Sequence, residues 1–332
     1  MIRLKVSDFK KILIIRPDRI GDLVLALPLA SLLKELSPHL EIHFLVSSYA
    51  APVLRYSPHV DSYLLYTGEN GDPLALSELV SRIEKNRYDA ALFAKPNWRS
   101  ALAVFLAGIK VRIGTSRRPY SFLFNVRERI IRRNSNKHEV DLNLELLRKL
   151  GLPNRPGRLN PELRVSQIDL SSIYDLNLPE KYVVIHIGSK GSAPNWPKAR
   201  YKALAESLSD MLPVVLTGQE EISVCSDNII DMIGKTSLDQ LIRVIDRAEL
   251  VISGSTGPMH LAAALGRKIL AFFPDHPGLG PHRWGPRGGR ARILQPSKQM
   301  GHRCRITNDG TCECFDSITT EMAYQAACEL LK

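Results

Sequence analysis

The amino-acid sequence predicts an α/β protein built from two Rossmann-like domains, each a doubly wound parallel sheet, facing a central ligand cleft. Three observations carry that expectation. Short, continuously apolar segments alternate with stretches of helical period, the alternation breaks once near the middle of the chain, and loops rich in Gly, Ser, Thr and Asp follow several of the apolar segments. Parallel strands covered on both faces lack the two-residue alternation of half-exposed ones, and strand, helix, strand repetition implies right-handed crossovers.

In the first half, Lys11 to Arg16, Glu41 to Val46 and Asp89 to Ala94 read as buried strands, and Val111 to Thr115 as a further one. Helices are expected at about 22–36, 74–87 and 98–107. His138 to Leu150 carries Val140, Leu144 and Leu147 at helical spacing and stops at Gly151, followed by Pro153, as a C-cap requires. From Pro153 to Pro179 the chain is rich in Pro, Asn, Ser and Arg, which reads as a linker. The pattern then restarts, with strands at 182–187, 213–217, 250–253 and 268–273 and helices at 197–211, 237–247 and 257–265. Ser237 and Gln240 form a capping box at the start of the second of these helices. A last helix, at about 318–331, has Met322, Ala326 and Leu330 on one face. The expected domains are 1–160 and 161–316, with 317–332 as a terminal helix.

The 332 residues, 44% apolar and 24% charged, are enough for a sizeable core and exclude a disordered or fibrous chain. No apolar run reaches the roughly 18–20 residues that cross a bilayer, and the first residues lack the pattern of a cleaved leader, so a soluble cytoplasmic protein is expected. Five cysteines in a long chain point to reduced thiols. His302, Cys304, Cys312 and Cys314 have the chemistry of zinc ligands but not the paired spacing, so they read as loop residues and no metal is expected. The formal charge of +11 lies wholly in residues 1–160, and residues 161–332 sum to zero. Its densest stretch, Lys110 to Arg133, has eight bases against the single acid Glu128. Nucleic acid, an anionic membrane and a phosphorylated substrate could each use such a patch. No nucleic-acid-binding motif accompanies the charge, so a nucleic-acid partner is not expected.

Four loops sit where an open α/β sheet binds its ligand. Arg16-Pro-Asp-Arg-Ile-Gly-Asp22 follows the first strand, and from spacing alone Asp22 is either a helix cap or a catalytic base. The loop has one glycine, and both GxGxxG and GxxxxGK[ST] are absent, which disfavours a nicotinamide dehydrogenase or a P-loop NTPase. Ser253 to Gly266 runs from a strand end into a helix, and is either a tight turn with hydroxyl caps or an anion site at a helix N-terminus. His186 to Pro197 offers Gly188, Ser189 and Lys190 to a phosphate. Thr217-Gly-Gln-Glu-Glu221 brings two carboxylates to the same end of the sheet, for ribose hydroxyls or for the next helix N-terminus.

Together these loops resemble glycosyltransferase family 9, the lipopolysaccharide heptosyltransferases of GT-B fold. The resemblance covers nearly the whole chain. It rests on Arg16-Pro-Asp-Arg-Ile-Gly-Asp-Leu-Val-Leu-Ala-Leu-Pro28, the HEV-x-x-NLELL-x-x-LG stretch at 138–151, Asn195-Trp-Pro197, and Ser255-Thr-Gly-Pro-Met-His-Leu-Ala-Ala-Ala-Leu-Gly266. It implies inverting transfer of a heptose from an ADP-heptose donor to a sugar hydroxyl of the lipopolysaccharide inner core. Asp22 then matches the catalytic base. Donor contacts are expected from Ser189, Lys190, Glu220, Thr236, Ser255, Thr256, Gly257, Pro258, Met259 and His260, and acceptor contacts from Arg16, Arg19, Arg117 and Arg118. The N-terminal domain would take the acceptor, the C-terminal domain the nucleotide sugar, and the last helix would cross back onto the first domain. A monomer bound peripherally to the inner face of the inner membrane is expected, with no cofactor required and a divalent ion dispensable.

Two positions depart from the family pattern. Pro194 stands where a Lys commonly precedes the Trp-Pro pair by two residues, leaving Lys190 as the cation of that loop, and Ser255 stands where Asp or Asn is common. A nucleotide-sugar epimerase of similar architecture, or a member of the same family using another donor, are the alternative readings.

Overall fold

The computed structural model describes residues 4–132, 135–152, 157, 159–166, 176–189, 191, 193–220, 222–224, 226–276, 278–296 and 310–332. The chain divides between Glu162 and Leu163 into two compact units.

In the first unit the strands are β1 (Lys11–Ile15), β2 (Glu41–Val46), β3 (Ser62–Leu65), β4 (Ala90–Phe93), β5 (Val111–Thr115) and β6 (Val126–Glu128). They form one parallel sheet in the order β3-β2-β1-β4-β5-β6. The second unit repeats the scheme with β7 (Val183–Ile187), β8 (Val214–Gly218), β9 (Ile229–Asp231), β10 (Leu250–Gly254), β11 (Lys268–Phe272) and β12 (Arg290–Leu294), ordered β12-β11-β10-β7-β8-β9. In each unit the order reverses direction beside the first strand. At such a switch point the connections leave to opposite faces, which opens a crevice at the carboxyl ends of the strands.

The helices follow from local sequence. The expected helix at 22–36 is two, α1 (Ile20–Val24) and α2 (Leu27–Leu36), because Pro28 lacks an amide donor and is tolerated only in a first turn. α3 (Leu76–Lys85) buries Leu79 and Ile83, and α4 (Trp98–Leu106) is capped by Asn97, whose side chain accepts from Ser100 N. α5 (Glu139–Leu144) tightens into a 3-10 turn over Glu145–Leu150 and ends at Gly151 with φ +75°. In the second unit come α6 (Lys198–Ser209), α7 (Leu238–Arg247), with both bonds of the capping box formed by Ser237 and Gln240, α8 (Gly257–Ala264), the short α9 (Pro281–Trp284) and α10 (Thr320–Leu331).

The second unit's core is organised around Trp196. Its indole stacks on Phe272 at 4.3 Å, meets Tyr201 edge-on at 5.0 Å, and donates from Nε1 to Ile318 O at 3.0 Å. Ala323, Ala326, Ala327 and Leu330 of α10 pack into this cluster. The terminal helix therefore belongs to the second unit's core, and Met322 is exposed rather than on the buried face. Small residues at this spacing let the helix lie close to α6 and β11. Cys312 and Cys314 are buried in the same core. His302 and Cys304 lie outside the described residues, and among the described residues no group of three His, Cys, Asp or Glu side chains is placed to hold a metal. Nor is any helix among them long and apolar enough to cross a membrane.

Trp196→Ala removes both the stack and the indole hydrogen bond, so the second unit's unfolding transition in denaturant should lose about 3–5 kcal/mol. A loss below about 1 kcal/mol would show that this cluster does not organise the core.

Candidate active site

The carboxyl end of β1 carries the most concentrated buried charge in the first unit. Arg16 leaves the strand with its amide bonded to Leu45 O, and its side chain is only 2% exposed. A buried guanidinium is tolerated only when its charge and its donors are matched. Here Nε lies 2.9 Å from Asp18 Oδ1, Nη2 donates to Asp22 Oδ1, Nη1 donates to Ala94 O at 3.0 Å, and Glu139 Oε1 lies 3.5 Å from Nη1. Burial alone would lower the proton affinity of Arg16, but the charges of Asp18, Asp22 and Glu139 outweigh it and hold the group above its ordinary value.

α5 supplies the other side of this arrangement. Glu139 and Asn143, four residues apart, lie on one helical face and are both buried. Asn143 Oδ1 accepts from Arg132 Nη2 at 3.0 Å, its Nδ2 donates to Leu25 O at 3.0 Å, and Arg132 also pairs with Glu139. The segment that reads as a sequence motif at 138–143 thus has a physical task, holding the α1 turn and Arg16 in register.

Asp22 is the third residue of α1. Arg19 occupies the N-cap position and no side chain caps the helix, so the capping reading of Asp22 is not what the geometry shows. Its carboxylate is instead anchored to Arg16 through one oxygen and remains 19% exposed. Asp18 is held differently. Both its oxygens are shut off from solvent and, among the described residues, engage only in ion pairs, with Arg16 and with Lys95 Nζ at 3.5 Å. Burial raises the Asp18 proton affinity, Arg16 lowers it, Asp22 raises it further and Lys95 lowers it, with a net upward shift.

Of the four arginines expected at an acceptor, Arg16 is interior and paired with the first unit's own carboxylates. Arg19, Arg117 and Arg118 are exposed. Arg117 and Arg118 follow β5, two strands from β1 in the sheet, and Phe122 beside them is 74% exposed. Trp98, just past the β4 loop that holds Lys95, is also exposed.

The second unit presents its loops at the corresponding strand ends. Gly188 ends β7 with φ +91°, and a Cβ there would stand 2.8 Å from Glu220 Oε1. Gly218 has φ +130° and approaches the Ile187 carbonyl so closely that a Cβ would lie 2.1 Å from its oxygen. These two glycines let the β7 and β8 loops meet at Glu220, whose carboxylate accepts from Asn195 Nδ2 at 3.2 Å and pairs with Lys198 Nζ at 3.3 Å. The cation beside Glu220 is therefore Lys198, after the Trp-Pro pair. Lys190 lies outside the described residues. Ser189 is buried, with its hydroxyl donated to Ala193 O at 2.6 Å. Thr236 is half-buried, directly ahead of the Ser237 cap.

After β10, Ser253 Oγ and Thr256 Oγ1 share a hydrogen bond at 2.9 Å. Thr256 is the N-cap residue of α8, yet its side chain does not cap, and Pro258 occupies the first turn. The first-turn amides of a helix have no acceptor within it, so this end is suited to an anion. Pro258, Met259 and His260 turn into the interior, which leaves Ser255 and Gly257 as the half-open residues of the run.

Residues 76–310 match the model of glycosyltransferase family 9 (heptosyltransferase). The chain belongs to that family, and it is a glycosyltransferase. Lipopolysaccharide heptosyltransferase 2 of Escherichia coli is 26% identical over 312 residues, covering 86% of this chain and 88% of that one. The solved ADP-heptose lipopolysaccharide heptosyltransferase II of E. coli superimposes with a TM-score of 0.80 at 24% identity, covering 97% and 98% of the two chains. A family 9 glycosyltransferase from Veillonella parvula gives a TM-score of 0.79 at 20% identity, over 99% of this chain and 98% of that one. The two Rossmann-like units of this glycosyltransferase are those of the GT-B fold. The sequence assigned no site role to Asp18, Glu139, Asn143, Asn195 or Lys198, although the first four fall in the motifs at 16–28, 138–151 and 195–197 and Lys198 follows the last of these directly.

Because Asp18 binds a proton more readily in the folded chain than in the unfolded one, its contribution to stability is fully present below the ordinary Asp range and is lost as pH rises through its raised value. Asp18→Asn, which keeps this position neutral at every pH, is accordingly expected to lose this component of the pH dependence. In scanning calorimetry the parent's melting temperature should rise relative to the variant's as pH falls toward about 4, and a parent that loses ground to the variant on acidification would contradict this account of the site.

Proposed function

We propose that this glycosyltransferase moves a heptose from ADP-heptose to a sugar hydroxyl of a lipopolysaccharide inner core, inverting the anomeric centre, with Asp22 as general base. The observation that carries the reading is the Asp22 carboxylate, partly open at the carboxyl end of the first sheet and anchored through one oxygen by a buried arginine. One oxygen is thereby left to accept a proton. As the acceptor oxygen attacks the anomeric carbon from the face opposite the diphosphate, its proton passes to Asp22, and the breaking bond leaves its electron pair on the diphosphate oxygen of ADP.

Charge growing on the departing diphosphate is matched by the first-turn amides of α8, which no side chain caps. Asn195 and Glu220, brought together by the two close-approach glycines, offer a donor and an acceptor to the hydroxyls of a ribose. A solved E. coli heptosyltransferase of similar fold, 19% identical with a TM-score of 0.73, is described with ADP, which supports an adenine nucleotide as donor. With proton transfer assigned to Asp22 and leaving-group charge to a helix N-terminus, the scheme assigns no step to a divalent ion. On the acceptor side, Arg19, Arg117 and Arg118 are exposed and outside the buried network, and their guanidinium groups suit a phosphorylated acceptor at an anionic membrane face. The protein is proposed to work there as a peripheral monomer.

The test is ADP release from ADP-heptose in chelator-containing buffer, with purified deep-rough lipopolysaccharide as acceptor. Asp22→Asn should lower kcat by about 10²–10⁴-fold, while ADP still raises the melting temperature and UDP, GDP and CMP do not. An active Asp22→Asn, or stabilisation by another base alone, overturns the corresponding part of the proposal. Binding to vesicles of anionic phospholipid should weaken steeply between low and high salt, and Arg117→Ala/Arg118→Ala should reduce it. Salt-independent binding would remove the membrane role from these residues.

A further inference from the structure

We propose that Asp18 is a positioning residue for the transfer reaction: sharing the Arg16 guanidinium with Asp22, it keeps the buried charge compensated when Asp22 takes the acceptor's proton, and so sustains Asp22 as a base. The inference rests on the general-base reading of Asp22.

The geometry separates the roles of the two carboxylates. Asp22 is partly exposed and is reached by one Arg16 nitrogen, Nη2, while Asp18 faces Nε at 2.9 Å with both oxygens closed to solvent. Asp18 therefore acts through Arg16 rather than on a substrate. Its backbone is pinned as well, since its carbonyl accepts from Ser47 Oγ and Tyr49 Oη, each at 3.2 Å. The charged groups around it are Arg16 from β1, Asp22 from α1 and Lys95 from the loop after β4, with Glu139 on the far side of Arg16 already paired to Arg132.

Among the described residues three acids, Asp18, Asp22 and Glu139, thus face three bases, Arg16, Lys95 and Arg132, and their formal charges cancel before reaction. When Asp22 takes the acceptor's proton, the cluster gains one positive charge in a largely buried setting. With Asp18 ionised, Arg16 keeps an anion of its own. Without it, the guanidinium would be left with Glu139 alone, already shared with Arg132, and an uncompensated buried charge is strongly unfavourable. Removing Asp18 must therefore oppose protonation at Asp22 and make it a weaker base. The upward shift of Asp18 itself is caused first by burial, which Arg16 opposes, and Asp22 adds to it.

Carbon-13 carboxyl NMR tests the coupling without substrate. The Asp18 signal should titrate above the ordinary Asp range in the parent protein and move to lower pH in Asp22→Asn, and an unchanged titration overturns the proposal. The pH dependence of ADP release from ADP-heptose with deep-rough lipopolysaccharide tests the consequence. Asp18→Asn should lower kcat about three- to tenfold, leave KM within about twofold, and move the acid limb to lower pH. Lys95→Met, which removes an exposed cation that pairs with Asp18, should move the same limb to higher pH, an opposite displacement that a purely structural role would not produce. Limbs that coincide with the parent in both variants, beside an inactive Asp22→Asn, overturn the role of Asp18 alone. Retained activity in Asp22→Asn overturns the base reading and this proposal with it.

Discussion

The first unit depends on one buried positive charge. Placing the Arg16 guanidinium at the end of the central strand obliges the surrounding chain to supply anions and acceptors, because an unmatched buried ion would outweigh the few kcal/mol by which a domain is typically stable. The α1 turn meets that demand with Asp18 and Asp22, the β4 end with the Ala94 carbonyl, and α5 with Glu139. Three elements distant in sequence are thereby locked at one point. The Asp22 carboxylate, the base of the proposed reaction, is held by an interaction that also ties the sheet to its helices.

The second unit solves a different problem with the same topology. Among the described residues its strand ends hold no comparable buried charge cluster; instead they bring backbone close to backbone. Gly218 against the Ile187 carbonyl and Gly188 against Glu220 are approaches that a Cβ would block. Beneath them, Trp196, Phe272 and Tyr201 form a rigid aromatic floor tied to the segment before α10 by the indole hydrogen bond. In the reaction proposed, the first unit would orient the side chain that takes the proton, and the second the amides and small polar groups that meet a diphosphate and a sugar. The division suits a reaction in which acceptor activation and leaving-group stabilisation occur on opposite faces of the anomeric carbon.

The excess of positive charge is partitioned by burial. Arg16 and Arg132 serve the interior, whereas Arg19, Arg117 and Arg118 stand in solvent at strand ends, with exposed Phe122 and Trp98 in neighbouring loops. Net charge along the chain could not make that distinction, since it counts an arginine that neutralises three carboxylates the same as one that faces water.

The interior strands were legible in the sequence because both their faces are covered, so β1, β4, β7, β10 and β11 appear as largely apolar runs within a residue of their true ends. The edge strands β3, β6, β9 and β12 were not, being three to five residues long and largely half-exposed. The loops carrying Asp22, Ser255 and Glu220 could be located from their position after those strands, and the family from their motifs. What only the tertiary structure decided is which polar residues face inward: Glu139 and Asn143 carry the periodicity of a solvent face, Asp18 looks like an ordinary loop acid, and Arg16 looks like a surface contact. Hydrophobic periodicity reports where apolar side chains go to leave water, and it is silent about polar groups whose burial is made tolerable by partners many residues away.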